Sequence, residues 1–170
     1  MNRPEKNEYA AFYETYVSLV EETDIIYALH KQSSELQNLL IGVSEEKENF
    51  RYAEGKWSVR ELLGHLIDGE RVFSYRALRI SRDDKTPLAS FEENSYIANS
   101  NFSRVKLADL IEEFSLLRAS NVLFFKNLSD EAWFRSGTAS EATVSVRALA
   151  YIMVGHVRHH ANILRERYLV

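Results

Sequence analysis

Cysteine is absent from all 170 residues, which excludes disulfides, thiolate metal ligands and a thiol nucleophile, and agrees with a reducing compartment. Only two prolines and six glycines are present, too few for a disordered or collagen-like chain and compatible with long uninterrupted helices. No stretch approaches the roughly 18 apolar residues of a membrane span, and the opening MNRPEKNEYA is polar where a signal peptide would be apolar. An excess of positive charge is missing too. The net charge is −4, with lysines and arginines scattered among acids, so the electrostatic footprint of a nucleic-acid binder is not there. The expectation is a cytoplasmic protein whose partners include neither nucleic acid nor membrane.

What is present is an ordinary apolar content of 45% beside 27% charged residues, sufficient at this length for a self-supporting core. Residues 1–170 read as one domain. Apolar residues recur at the 3.6-residue helical period over 24–42, 58–80, 104–128 and 145–167. The fold class expected is therefore all-α: a four-helix bundle with a long crossover connection, about 82–103, between the second and third helices. That connection holds Pro87 and the aromatic residues Phe91, Tyr96 and Phe102, which favours a packed crossover over a substrate lid. Ser58 and Glu61 form an S-x-x-E capping box, with Trp57 and Leu62 placed as its hydrophobic staple. Thr23 or Asp24, Ser103, and Thr143 or Ser145 are the expected caps of the other three helices. Ser129 followed by Asp130 and Glu131 predicts one more short helical turn. Strand signals are weak, and no Asn-Gly or Asp-Gly turn joins alternating runs.

Three of the five histidines fall within GHVRHHANI, residues 155–163. At about 100° per residue, His156 and His160 lie one turn apart on one helix face, while His159 points toward its edge. Leu149, Ile152 and Ile163 flank that face, so both imidazoles project into the bundle, where their nitrogens require partners. His65, in ELLGHLIDGER, stands on the flank of the second helix's apolar stripe. It can complete a three-imidazole metal site between two helices, or all three can be hydrogen-bonded core and boundary histidines. Gly64, Gly69 and Gly155 beside these positions would let the helices approach. Three neutral imidazoles suit a divalent transition metal rather than Mg or Ca, and leave coordination positions open. The protease pattern H-E-x-x-H fails because Val157 stands where its glutamate belongs. Asp68, Glu61 or Glu166 are the acids available to orient an imidazole, with Asp68 and Glu61 the candidates for proton transfer. No nucleophile elbow, dinucleotide fingerprint or P-loop occurs.

The segments GKWSVRELLGHLIDGERVFSYRAL and SVRALAYIMVGHVRHHANILRERYL resemble the DinB-like (DinB/YfiT) superfamily of metal-binding four-helix bundles, through Trp57, the second-helix histidine and the last-helix H-x-x-x-H pair. The resemblance implies a metal triad at His65, His156 and His160, with Zn or Ni as the usual ion, and frequent homodimers. It also implies a metal-dependent enzyme acting on a small molecule: a thiol S-transferase using a low-molecular-weight thiol, or a hydrolase. The alternative is a non-enzymatic metal- or ligand-binding stress-response module.

Overall fold

The computed structural model describes residues 2–170. Four long helices form the frame: α2 (Ile25–Leu40), α4 (Val59–Ser81), α6 (Leu107–Lys126) and α8 (Val146–Ile163). Around them lie the short helices α1 (Glu14–Val17), α3 (Glu45–Asn49), α5 (Glu93–Ala98) and α7 (Asp130–Phe134), and one hairpin, β1 (Ser136–Ala139) and β2 (Ala142–Ser145). Among the described residues no helix is long and apolar enough to cross a membrane.

The helix starts follow local chemistry. Asp24 accepts from the Tyr27 N–H, Ser145 from the Ala148 N–H and Ser129 from the Ala132 N–H, each satisfying a backbone donor that the helix leaves orphaned. Ser58 and Glu61 exchange both bonds of the capping box. The third long helix differs from expectation. It begins after Lys106, with no side-chain cap, because residues 102–104 form a separate 3₁₀ turn and Ser103 lies within it. The last helix is regular to Ile163 and then widens into a π turn over Leu164–Tyr168. That turn buries Tyr168 and directs its hydroxyl to the Trp57 carbonyl, 2.7 Å away.

The hairpin is an addition to the sequence reading. Its turn residues, Ser140 and Glu141, both adopt positive φ, 49° and 62°, the conformation for which glycine or asparagine is the usual signal. The cost of placing other residues there is met by tertiary pairing: Leu88 donates to the Thr138 carbonyl and accepts from the Ser140 N–H.

Helices α2 and α4 each pack against both α6 and α8, so they occupy opposite corners of the bundle. Arg60 reaches the Ser103 carbonyl, Gly64 faces Phe102, and Arg71 pairs with Glu113. Helix α6 thus runs parallel to α4, and the segment between them returns along the length of α4. It is fastened at separate points along its course. Leu88 bonds the hairpin, Phe91 stacks near Tyr96, Ile97 is buried, and Phe102 fills the space over Gly64. Enclosure on so many sides explains why α4 buries His65, Glu70 and Arg76 beside its apolar stripe.

The core holds one closed ionic network. Arg118, 0% exposed, donates from Nε to Glu70 Oε2 (3.0 Å) and from Nη1 to Gln32 Oε1 (2.7 Å). Asn121 donates to the same carboxylate, and Gln32 donates onward to the Val154 carbonyl. Four helices are tied through one guanidinium. Removing only Glu70 strands that charge, so Glu70→Ala should cost about 3–5 kcal/mol in urea unfolding. Arg118→Met should cost much less in a Glu70→Leu background than alone, a coupling that a double-mutant cycle measures directly.

Candidate metal centre

The regular geometry of α8 places His156 and His160 on one face, and α4 runs beside it so that His65 meets them. The ring centroids stand 4.8 Å (65 to 156), 4.9 Å (65 to 160) and 4.8 Å (156 to 160) apart. One nitrogen from each ring lies within 4.8 Å of the other two. The Nε2 atoms of His65 and His156 are 2.8 Å apart. The three residues are 3%, 4% and 9% exposed.

Burial pushes the pKa of His65 down to about 4, with His159 adding to the effect. Burial, followed by the neighbouring imidazoles, also holds His156 and His160 well below the ordinary histidine range. All three are neutral at neutral pH, with lone pairs to donate. Their hydrogen-bonding needs are not met within the chain. One proton satisfies the 65–156 contact, but His160 Nδ1 is sealed from solvent and has no partner among the described residues. A soft or borderline divalent ion takes neutral imidazoles as ligands, and donors on a tetrahedral ion stand about 3.3 Å apart. The donor set fits such an ion.

Aromatic rings hold these imidazoles. Trp57 lies 4.7 Å from His65, Tyr16 lies 5.2 Å from His156, and Phe73 lies 5.7 Å from His156, all by centroid. The glycines have individual reasons, which differ from a general close approach of two helices. A Cβ on Gly155 would sit 2.0 Å from the Tyr16 carbonyl, and one on Gly64 would strike Phe102; only at Gly69 would it press on the triad, 3.0 Å from His156 Cε1. The N-terminal segment is clamped over α8 by Glu22, paired with Arg158, and Glu8, paired with Arg147. His159, half-buried, packs on Tyr16 beside the cluster, and His30 is exposed on α2.

The acids sort differently from expectation. Glu61 is committed to the Ser58 N–H and to Arg51. Asp68 makes no hydrogen bond to an imidazole among the described residues; burial raises its pKa, and its charged neighbours are Arg71 and Glu113. Glu166 is exposed. The carboxylate near the triad is Glu93 of α5, whose Oε2 is 3.9 Å from His65 Nε2. Because His65 is neutral, this contact is not an ion pair and the carboxylate stays free. Burial, then the Glu92 charge, raises the Glu93 pKa. Nothing in the local sequence distinguishes Glu93 from its neighbour Glu92; only the return path of the connection does. Beside it opens a cleft of about 300 Å³ lined by Tyr52, Lys56, Trp57, Glu93, Asn94 and His160.

The sequence model of the DinB superfamily matches residues 28–164. No curated protein matches the sequence. Among solved structures, the chain is similar to YfiT from Bacillus subtilis, described as a probable metal-dependent hydrolase with an unusual four-helix bundle topology. The TM-score is 0.78 at 15% identity, covering 86% of this chain and 89% of that one.

Two outcomes follow from this packing. Gly155→Ala should destabilise the protein by about 1–3 kcal/mol and shift the His156 ring resonances, because Tyr16 must move; unchanged spectra would contradict the contact. Hydrogen bonds from Arg158 hold the Glu22 carboxyl below its ordinary value. A depressed folded pKa gives stability that is present above the unfolded value and lost as pH falls through the folded one. The melting-temperature gap between wild type and Glu22→Gln should therefore be widest near neutrality and close in acid.

Proposed function

The chain belongs to the DinB superfamily, and from that premise we propose a metal-dependent enzyme in which His65, His156 and His160 hold a divalent transition-metal ion, Zn or Ni. The observation that carries this reading is the unpartnered, sealed Nδ1 of His160 beside two imidazoles already in mutual contact. A core built only for stability would leave no such atom, since an unsatisfied buried polar group costs about 1–3 kcal/mol.

When bound, the ion supplies Lewis acidity that acidifies a water or thiol and polarises an electrophile. The side chains do the rest. Trp57, Tyr16 and Phe73 fix the imidazole orientations and keep the surroundings weakly polar. Glu93 stands where a proton leaving the nucleophile can be accepted at its carboxylate. It takes the role expected of Asp68 or Glu61, neither of which hydrogen-bonds an imidazole. The neighbouring cleft admits a small molecule, with the Lys56 ammonium and the Asn94 amide as its polar handles.

Hydrolysis of a small ester or amide is the first reaction to test, because the chain lacks a thiol and needs only water as nucleophile. Transfer to a low-molecular-weight thiol uses the same groups, with the thiol arriving as co-substrate. Untagged protein purified without added metal should carry about one equivalent of transition metal by elemental analysis, and His65→Ala and His156→Ala should lose it. Glu93→Gln should retain the metal while turnover of an ester, amide or glutathione-acceptor panel falls about 100-fold or more. Unaltered metal content in both histidine variants would remove the reading. Metal-dependent thermal stabilisation with no turnover across the panel would move the protein to the non-enzymatic binding class.

A further inference from the structure

Arg76 lies on α4 eleven residues beyond His65, about 16 Å along the helix axis, and belongs to neither the metal centre nor the Arg118 network. It is 3% exposed. A guanidinium so deeply buried normally has a carboxylate beside it, because an uncompensated internal charge is expensive. Here none is in ion-pair range among the described residues. Its Nη2 donates only to neutral acceptors, the Ala89 carbonyl at 2.8 Å and Ser140 Oγ at 2.9 Å. Its Nε and Nη1 have no partner within the described chain, yet they are not sealed, since the one sealed and unpartnered side-chain atom is His160 Nδ1. Arg76 is also one of the residues that line a neighbouring cleft.

That cleft, about 510 Å³, runs between α4 and the first part of the return segment. Its walls are flat and aromatic: Tyr75 from α4, and Phe91 and Tyr96 from the opposite side. Arg76 Cζ stands 5.8 Å from the Phe91 ring centroid. The two other arginines of the cleft are already neutralised, Arg71 by Glu113 and Arg79 by Asp84. One unmatched positive charge therefore sits at the base of an aromatic slot.

We propose that this cleft is a second binding site, specific for a small organic anion with a planar apolar body, in which a carboxylate or phosphate ester pairs with Arg76. The free donors, Nε and Nη1, lie on different edges of the guanidinium, because the nitrogen that shares an edge with Nε is Nη2, held by Ala89 and Ser140; an anionic oxygen therefore pairs with one of them through a single charge-assisted hydrogen bond. Tyr75, Phe91 and Tyr96 enclose the body of the ligand. The site is independent of the metal-dependent reaction proposed above.

Isothermal titration of the protein as purified with benzoate, phenyl phosphate, inorganic phosphate and phenol tests this. Phenyl phosphate and benzoate should bind, phenol should not, inorganic phosphate should bind more weakly than phenyl phosphate, and affinity should fall with added KCl. Treatment with a chelator should leave these affinities unchanged, which separates this cleft from anion binding at the triad. Arg76→Met should weaken phenyl phosphate binding about 10- to 100-fold, with circular dichroism confirming the fold. Arg76→Lys, which keeps the charge and loses the guanidinium donors, should give a smaller loss. Equal binding of phenol and phenyl phosphate, no binding of either anion, or unchanged affinity in Arg76→Met would overturn the proposal. If Arg76→Met does not fold, the Arg76→Lys series and the phenol comparison decide it.

Discussion

Three neutral imidazoles share one buried point with too few hydrogen-bond partners between them, and much of the surrounding architecture is the means of keeping them there. Burial alone would scatter such groups toward solvent. What prevents this is the packing of aromatic rings on each imidazole: Trp57 on His65, Tyr16 and Phe73 on His156. Tyr16 comes from the N-terminal segment, which lies against α8 only because Gly155 has no Cβ. The salt bridges of Glu8 and Glu22 to α8 hold that segment in place. On the other side, Tyr168 ties the loop carrying Trp57 to the π turn that follows His160. A wide turn so close to the helix face that carries His156 and His160 is a common accompaniment of functional sites.

Three polar intrusions into this bundle can be ranked by how completely the chain satisfies them. Arg118 has the Glu70 carboxylate, the Gln32 amide and the Leu29 carbonyl, so all that it needs is internal and its role is to fix the relative positions of four helices. The histidine cluster is one partner short, at His160 Nδ1, and the shortage is of an electron-pair acceptor. Arg76 is short of a negative charge. The Arg118 network is therefore structural, while the lone pairs left over at the histidine cluster suit a cation and the charge left over at Arg76 suits an anion.

Much of this was legible in the residues. The four helices follow from the 3.6-residue period, and the capping box at Ser58 and Glu61 and the caps at Asp24, Ser129 and Ser145 from local chemistry, because these signals are settled within one turn of chain. The 156/160 pair is also expressed in spacing and face, whereas the meeting of His65 with it is one of two readings the residues allow and the one the family resemblance implies. What escaped depends on contacts distant in sequence. The hairpin turn at Ser140 and Glu141 lacks glycine and relies on Leu88 for support. Glu93 carries no local mark, since one glutamate in a polar helix resembles another. Ser103 offered a plausible cap, but a 3₁₀ turn anchored by Phe102 over Gly64 moved the helix start to residue 107. The unpaired state of Arg76 is equally invisible in sequence, because only the fold shows that no acid reaches it.

The segment between α4 and α6 is where these threads join. Being parallel, the two helices require a return along the full length of α4, and any residue on that return faces α4 at a predictable height. Near the C-terminal end it presents Ala89 and Phe91 to Arg76; farther back it presents Glu93 toward His65; at the start of α4 it presents Phe102 to Gly64. One strip of chain thus supplies a wall to both candidate sites while its ends are fixed by the hairpin and by a glycine that admits a ring. A connection of this length exacts a modest loop-closure penalty, which grows only slowly with length. In exchange, the topology places side chains against an already buried helix face. A short link between antiparallel neighbours would leave that face either solvated or covered by another helix, with no carboxylate beside the imidazoles and no aromatic wall over the guanidinium.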